Sequence, residues 1–439
     1  MKVGFLGLGK LGLPCALAMD MKGHDVMGYD INPKVLQREQ IPYREAGPNG
    51  EPSIEPILKA SRLRFAKNSC ELVMHSEIIF VAIQTPHEER YEGVTRLPGE
   101  RKDFIYRWLI AGLRELSKQI AELGEDRIVV VISTVLPGTI RKHILPAING
   151  HVKICYNPFF IAMGTTMRDF IQPELVLLGA SDENAAKCVE EFYATTVHAP
   201  IYRTSIENAE AIKVAYNTFI SMKIAFANTW MELCHKIPGT DVDELTNALA
   251  LATNRIISPM YLRGGMGDGG ACHPRDNIAL SWLARELDLS YDLFEGLMIA
   301  RERQTEWLAE LMESYDPRGE ARMLKVILGK SFKPETNITV GSPALLLKNL
   351  LMERGHEVVM YDPNVDAGLP TPSYSPSIFL IGTKHPEFVD FDFPEGSVVI
   401  DPWRYIPQRP GIEVVSVGRI PLQSHSSTTT VQSIFRHDH

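Results

Sequence analysis

Residues 264–276 read GGMGDGGACHPRD, so one thiol, Cys272, follows five glycines in seven positions, with His273, Arg275 and Asp276 directly after it. Glycine-rich backbone can approach a ligand closely. A thiol beside cationic groups gains thiolate character and can attack a carbonyl carbon. Taken alone, the residues leave three readings: a nucleophile, a metal ligand, or a small side chain in a tight turn. A metal site has no second cysteine or histidine cluster to complete it, and no metal is expected. A phosphate loop lacks its Gly-Lys-Ser/Thr ending. The nucleophile reading gains from Lys213 and Asn217, which share a helix face at i and i+4 and offer an ammonium and an amide to a developing oxyanion.

A second chemistry sits at the N-terminus. VGFLGLGKLGLP places Gly7, Gly9 and Gly12 after a strand and before an Ala/Leu/Met helix, with Lys10 and Leu11 between the last two glycines. Gly7 permits the turn, Gly9 lets amides reach a pyrophosphate, and Gly12 lets the helix pack on the strand. Asp30 ends the next strand, 18 residues beyond Gly12, where a carboxylate takes ribose hydroxyls and repels a 2′-phosphate. NAD is the expected cofactor.

These residues need a scaffold, and 439 residues suggest two or three domains. From 1 to 203, short apolar runs (Lys2–Leu6, Asp25–Tyr29, Ile78–Ile83, Ile128–Ser133, Leu175–Leu178) alternate with helical stretches such as Lys102–Leu123, which predicts a parallel sheet covered on both faces. The polar stretch 87–103 reads as a surface loop. From 204 to 312 the strand signal vanishes, and more than thirty residues without Gly or Pro predict one long spine helix. A shorter helix, Val242–Thr253, follows. From 313 to 439 strands return at Leu324–Leu328, Glu357–Tyr361, Ile378–Ile381 and Ser397–Ile400. MKGHDVMGYDIN (21–32) echoes ERGHEVVMYDPN (353–364). The fold class predicted is α/β: two Rossmann-like doubly wound domains joined by an all-α central domain. The second domain carries LGKSFKP where the glycines should be, and no second NAD is expected there.

The net charge of −9 is spread along the chain and argues against a nucleic-acid surface. The six cysteines are scattered, in keeping with free thiols of a reducing compartment. MKVGFLGLG enters a strand at once, without room for a leader, and no apolar run reaches the ~20 residues that span a bilayer. A cytoplasmic protein without a membrane partner is expected.

The ordered set of motifs resembles the NDP-sugar 6-dehydrogenases, typified by UDP-glucose and GDP-mannose dehydrogenases. It comprises the NAD fingerprint, QTP (84–86), STVLPGT (133–139), ENAEAIKVAYN (207–217), NRI (254–256), GMGDGGACHPRD (265–276), GKSFKPET (329–336) and DPWR (401–404). The resemblance implies oxidation of a sugar C6 alcohol to an aldehyde, its capture by Cys272 as a thiohemiacetal, a second oxidation to a thioester, and hydrolysis to the uronate. It makes Lys213 and Asn217 oxyanion donors, pairs Asp276 with a water in proton transfer, and places Thr134 near the cofactor with Thr85. Lys333 and Arg404 would hold the nucleotide-sugar diphosphate region. Arg255 would reach a neighbouring subunit's substrate in a homodimer built on the helical domain. Phe159, Phe160, Ile161, Tyr261 and Gly269 complete the expected substrate contacts.

The chain departs from that family after CYNP. Phe159 and Met163 stand where the family has two glutamates, the first of which helps water attack the thioester. Asn337, Ile338 and Val340 replace an acidic pair and an arginine. His273, Arg275 and Asp268 are smaller changes beside the cysteine. Three functions fit: a full 6-dehydrogenase whose thioester leaves by Asp276, Asp169 or Glu174; a paralogue that binds NAD and a sugar nucleotide but stops after one two-electron oxidation or uses transient oxidation; and a non-catalytic nucleotide-binding subunit.

Overall fold

The protein's structure, a computed structural model, describes residues 1–36, 41, 43, 45–86, 88, 102–162, 164–258, 264–267, 272–317, 322–334, 336–367 and 375–418. It divides into two compact units, 1–222 and 223–439. The division falls inside the long helix.

The first unit holds strands β1 (Lys2–Leu6), β2 (Asp25–Tyr29), β3 (Arg64–Phe65), β4 (Ile78–Val81), β5 (Arg127–Val131), β6 (Val152–Tyr156), β7 (Val176–Ala180) and β8 (Ile201–Thr204). Its helices are α1 (Gly12–Met21), α2 (Pro33–Leu36), α3 (Glu55–Ala60), α4 (Ser69–His75), α5 (Arg107–Leu123), α6 (Thr166–Ile171) and α7 (Glu183–Thr196). α8 (Ile206–Lys236) begins here and ends in the second unit. The sheet order is β3-β2-β1-β4-β5-β6-β7-β8. Strands such as β4, buried along their whole length, are continuous apolar runs because both faces of the sheet are covered. Two apolar clusters, one built around Phe5, Phe80 and Phe192 and the other around Leu109, Val129 and Tyr156, lie on its two sides.

The expected parallel sheet is not parallel throughout: β6 pairs β7 antiparallel. An antiparallel neighbour needs no crossover back to the opposite edge. Residues 157–175 therefore return along the C-terminal edge of β6, which neighbours β5 and then β4 in the sheet.

In the second unit the helices are α9 (Val242–Ala250), α10 (Cys272–Glu286), α11 (Leu293–Ser314) and α12 (Pro343–Glu353). The strands are β9 (Lys325–Leu328), β10 (Val358–Tyr361), β11 (Ile378–Ile381), β12 (Val398–Asp401) and β13 (Glu413–Ser416), in an all-parallel sheet of order β10-β9-β11-β12-β13. Leu308, Ala309 and Met312 seat α11 on this sheet. The end of α8 packs on α10 and α11 through Leu233, Ala284 and Phe294.

The sequence echo is a structural echo. Gly7 N donates to Tyr29 O at 2.8 Å, and Gly329 N to Tyr361 O at 2.6 Å. Asp30 accepts from Leu8 N at 2.8 Å, and Asp362 from Lys330 N at 2.7 Å and Ser331 N at 2.8 Å. Each aspartate ends a strand and ties down the turn after its parallel neighbour.

Candidate active site

β1 and β4 are adjacent, with the chain running outward from β1 through β2 to β3 on one side and through β5 on the other. Their C-terminal ends are therefore a topological switch point, where open α/β sheets bind ligands. The glycine turn lies there. Gly7 has φ +93°, and a Cβ on it would meet the Ala82 carbonyl at 2.8 Å. A Cβ on Gly12 would strike the Gly7 carbonyl oxygen, whereas nothing lies within 4 Å of one placed on Gly9. Gly7 and Gly12 thus fit the tight turn, and the space before Gly9 is open. Lys10 is exposed and Leu11 half-buried. Leu11 provides no side-chain cap, and the first turn of α1 holds no acidic residue, so its amino end suits a pyrophosphate. Asp30 is half-buried, and each oxygen takes one backbone amide, Leu8 N and Asn32 N, both at 2.8 Å. A carboxylate accepts about four hydrogen bonds, which leaves room for a ribose diol. Thr85 donates to the Thr134 carbonyl at 2.7 Å, because the ends of β4 and β5 adjoin. These residues fit NAD.

Lys213 and Asn217 lie on α8 as expected, with Lys213 Nζ 3.5 Å from Asn217 Oδ1. Lys213 is 8% exposed. Its ammonium donates to the Phe159 carbonyl at 2.8 Å and lies 5.1 Å from the centre of the Phe160 ring, which packs at a tilt against Tyr216 with ring centres 4.5 Å apart. Among the described residues no ion pair includes Lys213, and burial pulls its pKa down. The Phe159 ring packs against Phe170 at 5.3 Å, and Ile161 joins the same cluster. Met163 lies outside the described residues.

Two alternative carboxylates for hydrolysis are also placed. Asp169 accepts from Ala162 N at 3.0 Å and Thr165 Oγ1 at 2.9 Å, and pairs with Arg168. Glu174 is exposed and accepts from the Tyr216 hydroxyl at 3.3 Å.

In the second unit Cys272 opens α10 and Asp276 lies one turn into it; the side chains of Cys272, His273, Arg275 and Asp276, and residues Tyr261, Asp268 and Gly269, lie outside what is described. The glycine loop is fixed from its first residues. Arg404, at φ +58°, donates to Gly264 O at 2.6 Å, and Gln304 holds Gly265 O at 3.0 Å and Gly267 N at 3.2 Å. A Cβ on Gly265 would strike the Trp403 ring. Arg404 also donates to Pro402 O and Val417 O, so its guanidinium is engaged by the backbone. Arg255 and Lys333 are exposed. Among the described residues no group of three or more His, Cys, Asp or Glu could hold a metal ion, and no helix is long and apolar enough to cross a membrane.

Two residues near the site gave no sequence signal. Glu45, 2% exposed, accepts from Gly164 N at 3.1 Å and from Thr166 N at 2.5 Å and Thr166 Oγ1 at 3.0 Å. Tyr43 reaches the Gly9 carbonyl at 3.4 Å. Their partners are distant in sequence.

Comparison with known proteins matches residues 1–197 to the NAD-binding domain of the UDP-glucose/GDP-mannose dehydrogenase family and 207–300 to its central domain. The chain belongs to the UDP-glucose/GDP-mannose dehydrogenase family. It is 28% identical to a GDP-mannose 6-dehydrogenase of Pseudomonas aeruginosa over 83% of this chain and 82% of that one. It is 29% identical to a UDP-glucose 6-dehydrogenase of Haloferax volcanii over 95% of this chain and the whole of that one. A crystal structure of a ternary complex of GDP-mannose dehydrogenase from Pseudomonas aeruginosa superposes with a TM-score of 0.82 at 26% identity, covering 94% of this chain and 99% of the other. As a UDP-glucose/GDP-mannose dehydrogenase family member, the protein is an NAD-dependent oxidoreductase acting on CH–OH groups.

Proposed function

We propose that this protein oxidises a nucleotide-diphosphate sugar at C6, from alcohol through aldehyde to acid, with the carbonyl carbon held on Cys272 between the oxidations. NAD, when bound at the glycine turn, accepts the hydride of each two-electron oxidation. The observation that carries the reading is Lys213, a buried cation beside Asn217 in a unit with an intact dinucleotide turn. A buried ammonium that pairs with no carboxylate among the described residues is costly unless a developing negative charge rewards it. Cys272 adds to the aldehyde as a thiolate, Lys213 and Asn217 bind the oxygen that becomes negative, and Asp276 with a water moves the proton. Thr134 holds the water near the cofactor. Lys333 takes the diphosphate together with the donors that Arg404 keeps beyond its bonds to Gly264, Pro402 and Val417, and Arg255 reaches across a dimer. Exposed Ile278 and Trp282, one turn apart on α10, support a second copy packing on the helical region.

Deacylation is atypical in this reading. The Phe159 side chain offers Lys213 no carboxylate, only the main-chain carbonyl of that residue reaching it, and Asp169 is committed to Ala162 and Thr165. The exit of the acyl group then falls to Asp276 or Glu174. The same apolar wall favours a second reading, in which the enzyme stops after one oxidation.

Single-turnover NADH formation with UDP-glucose, UDP-N-acetylhexosamines and GDP-mannose, followed by intact-protein mass, separates the readings. Two NADH per sugar and free enzyme are expected, with Cys272→Ser losing the second. One NADH and no adduct would establish the single oxidation; acid formed by Cys272→Ser at the wild-type rate would overturn the nucleophile.

A further inference from the structure

We propose that Glu210 is a positioning residue for this reaction, its buried carboxylate fixing the Thr134 loop to the face of α8 that carries Lys213 and Asn217. The inference rests on the function proposed above. Glu210, Lys213 and Asn217 fall at i, i+3 and i+7, one face of a helix. Glu210 is fully buried and accepts from Gly138 N at 2.6 Å and Ile140 N at 2.8 Å. Gly138, at φ +87°, turns the chain so that amides two residues apart converge on one carboxylate.

The rest of the loop is held by neutral groups. Ser133 donates to Ile83 O and Thr85 to Thr134 O, both reaching the end of β4. Leu136 N and Thr139 Oγ1 donate to the Tyr106 hydroxyl at 3.3 Å each. Glu210 alone among these holds the loop with a charge, and it stands one turn from Lys213 on the same helix. Burial pushes its pKa up, against the two amide bonds. A dry carboxylate is a costly way to join two elements if any close packing would serve. Two short bonds to fixed amides set distance and angle, which apolar contact does not. The nearby Arg141–Glu207 pair joins the same elements, but Arg141 is half exposed and the pair is worth little. It is the internal control.

The test compares Glu210→Gln, Glu210→Asp and Arg141→Ala with the wild type by amide hydrogen exchange across residues 134–144 and by steady-state kinetics with C6-deuterated sugar. In Glu210→Gln an amide N–H₂ must face a backbone donor. Exchange at 138 and 140 should rise roughly 10- to 100-fold. We expect kcat to fall about tenfold or more, the KM for NAD to stay within twofold, and the isotope effect on kcat to grow as hydride transfer becomes limiting. Arg141→Ala should do none of this. If Glu210→Gln does not fold, judged by NAD binding and circular dichroism, Glu210→Asp carries the test, since it keeps the charge but withdraws it by a methylene. Unchanged exchange, or faster exchange with unchanged kcat and isotope effect, overturns the role; so does equal slowing in Arg141→Ala. A wild type that oxidises no nucleotide sugar refutes the functional reading itself. An active wild type beside an equally active Glu210→Gln refutes the positioning role alone.

Discussion

Phe159→Glu restores a carboxylate where this chain has a ring, and its consequences can be worked through in advance. The ring is half-buried and pairs with Phe170 at 5.3 Å. Losing half the burial of a phenylalanine costs about 1–1.5 kcal/mol and the aromatic pair about 0.5–1.5 kcal/mol. Lys213 Nζ already touches the Phe159 carbonyl at 2.8 Å, so a new carboxylate would lie near an ammonium. At about 5 Å and an effective dielectric of 20 their attraction is roughly 3 kcal/mol, most of it offset by desolvation. The variant should therefore fold with about 1–2 kcal/mol less stability. A regained general base is worth about 10²–10⁴ in the step it serves. If thioester hydrolysis limits the wild type, stopped-flow NADH traces should show a burst of one site-equivalent or more followed by slow turnover. In Phe159→Glu the steady state should accelerate until the burst disappears. Phe159→Leu should lose similar stability without acceleration. A folded Phe159→Glu with the wild-type burst and steady-state rate would refute the assignment of this position to deacylation.

Three further outcomes are expected. Gly9→Ala should keep the wild-type melting temperature but weaken NAD binding tenfold or more in calorimetry, while Gly12→Ala should fail to fold stably, since only its Cβ meets backbone; equal behaviour of the two would contradict the division of roles. Lys213→Met should be inactive yet more stable at neutral pH. Burial lowers the folded pKa of Lys213 below its ordinary 10.5, so the unfolded chain binds more protons between the two values and wild-type stability rises across that range. Denaturant midpoints should show the gap between the two proteins closing there; a constant gap would deny the buried charge. Asp362 gives a slope of the same sign at the acid end: although burial works against it, the Ser331, Lys330 and Asn364 amides hold its carboxyl down at about 2, against an ordinary 3.8, so the unfolded chain again binds more protons between the two values. Its contribution should be complete above that ordinary value and disappear as pH falls towards 2, and Asp362→Asn should flatten this part of the acid-denaturation profile.

What was legible in the sequence was what short range determines. β1, β2 and β11 end at the expected residues because each is a short apolar run closed by a turn. The long helix was readable from thirty residues without a breaker. β3 and β8 were not foreseen: Arg64, Phe65, Tyr202 and Arg203 are exposed edge residues, without a buried face to betray them. α5 starts at Arg107, later than the expected Lys102, because Asp103 accepts from Phe104 N and the Tyr106 hydroxyl and holds a local turn. Stretch 87–103 falls almost wholly outside the described residues. At the site, the glycine turn and the Lys213–Asn217 pair are local patterns and were found. Glu45 and Glu210 were not singled out, since a carboxylate's use depends on amides 119–121 and 70–72 residues away. Glu210 left one trace, its place three residues before Lys213.

The paired aspartates also set a task for protein engineering. Asp30 keeps spare acceptor capacity; Asp362 is sealed by the Ser331 hydroxyl at 2.8 Å and His385 at 3.1 Å in addition to its amides. A nucleotide pocket could not be installed in the C-terminal sheet by grafting glycines alone. The designer would first have to unlock that carboxylate by replacing Ser331 and His385, and then find the lost stability elsewhere.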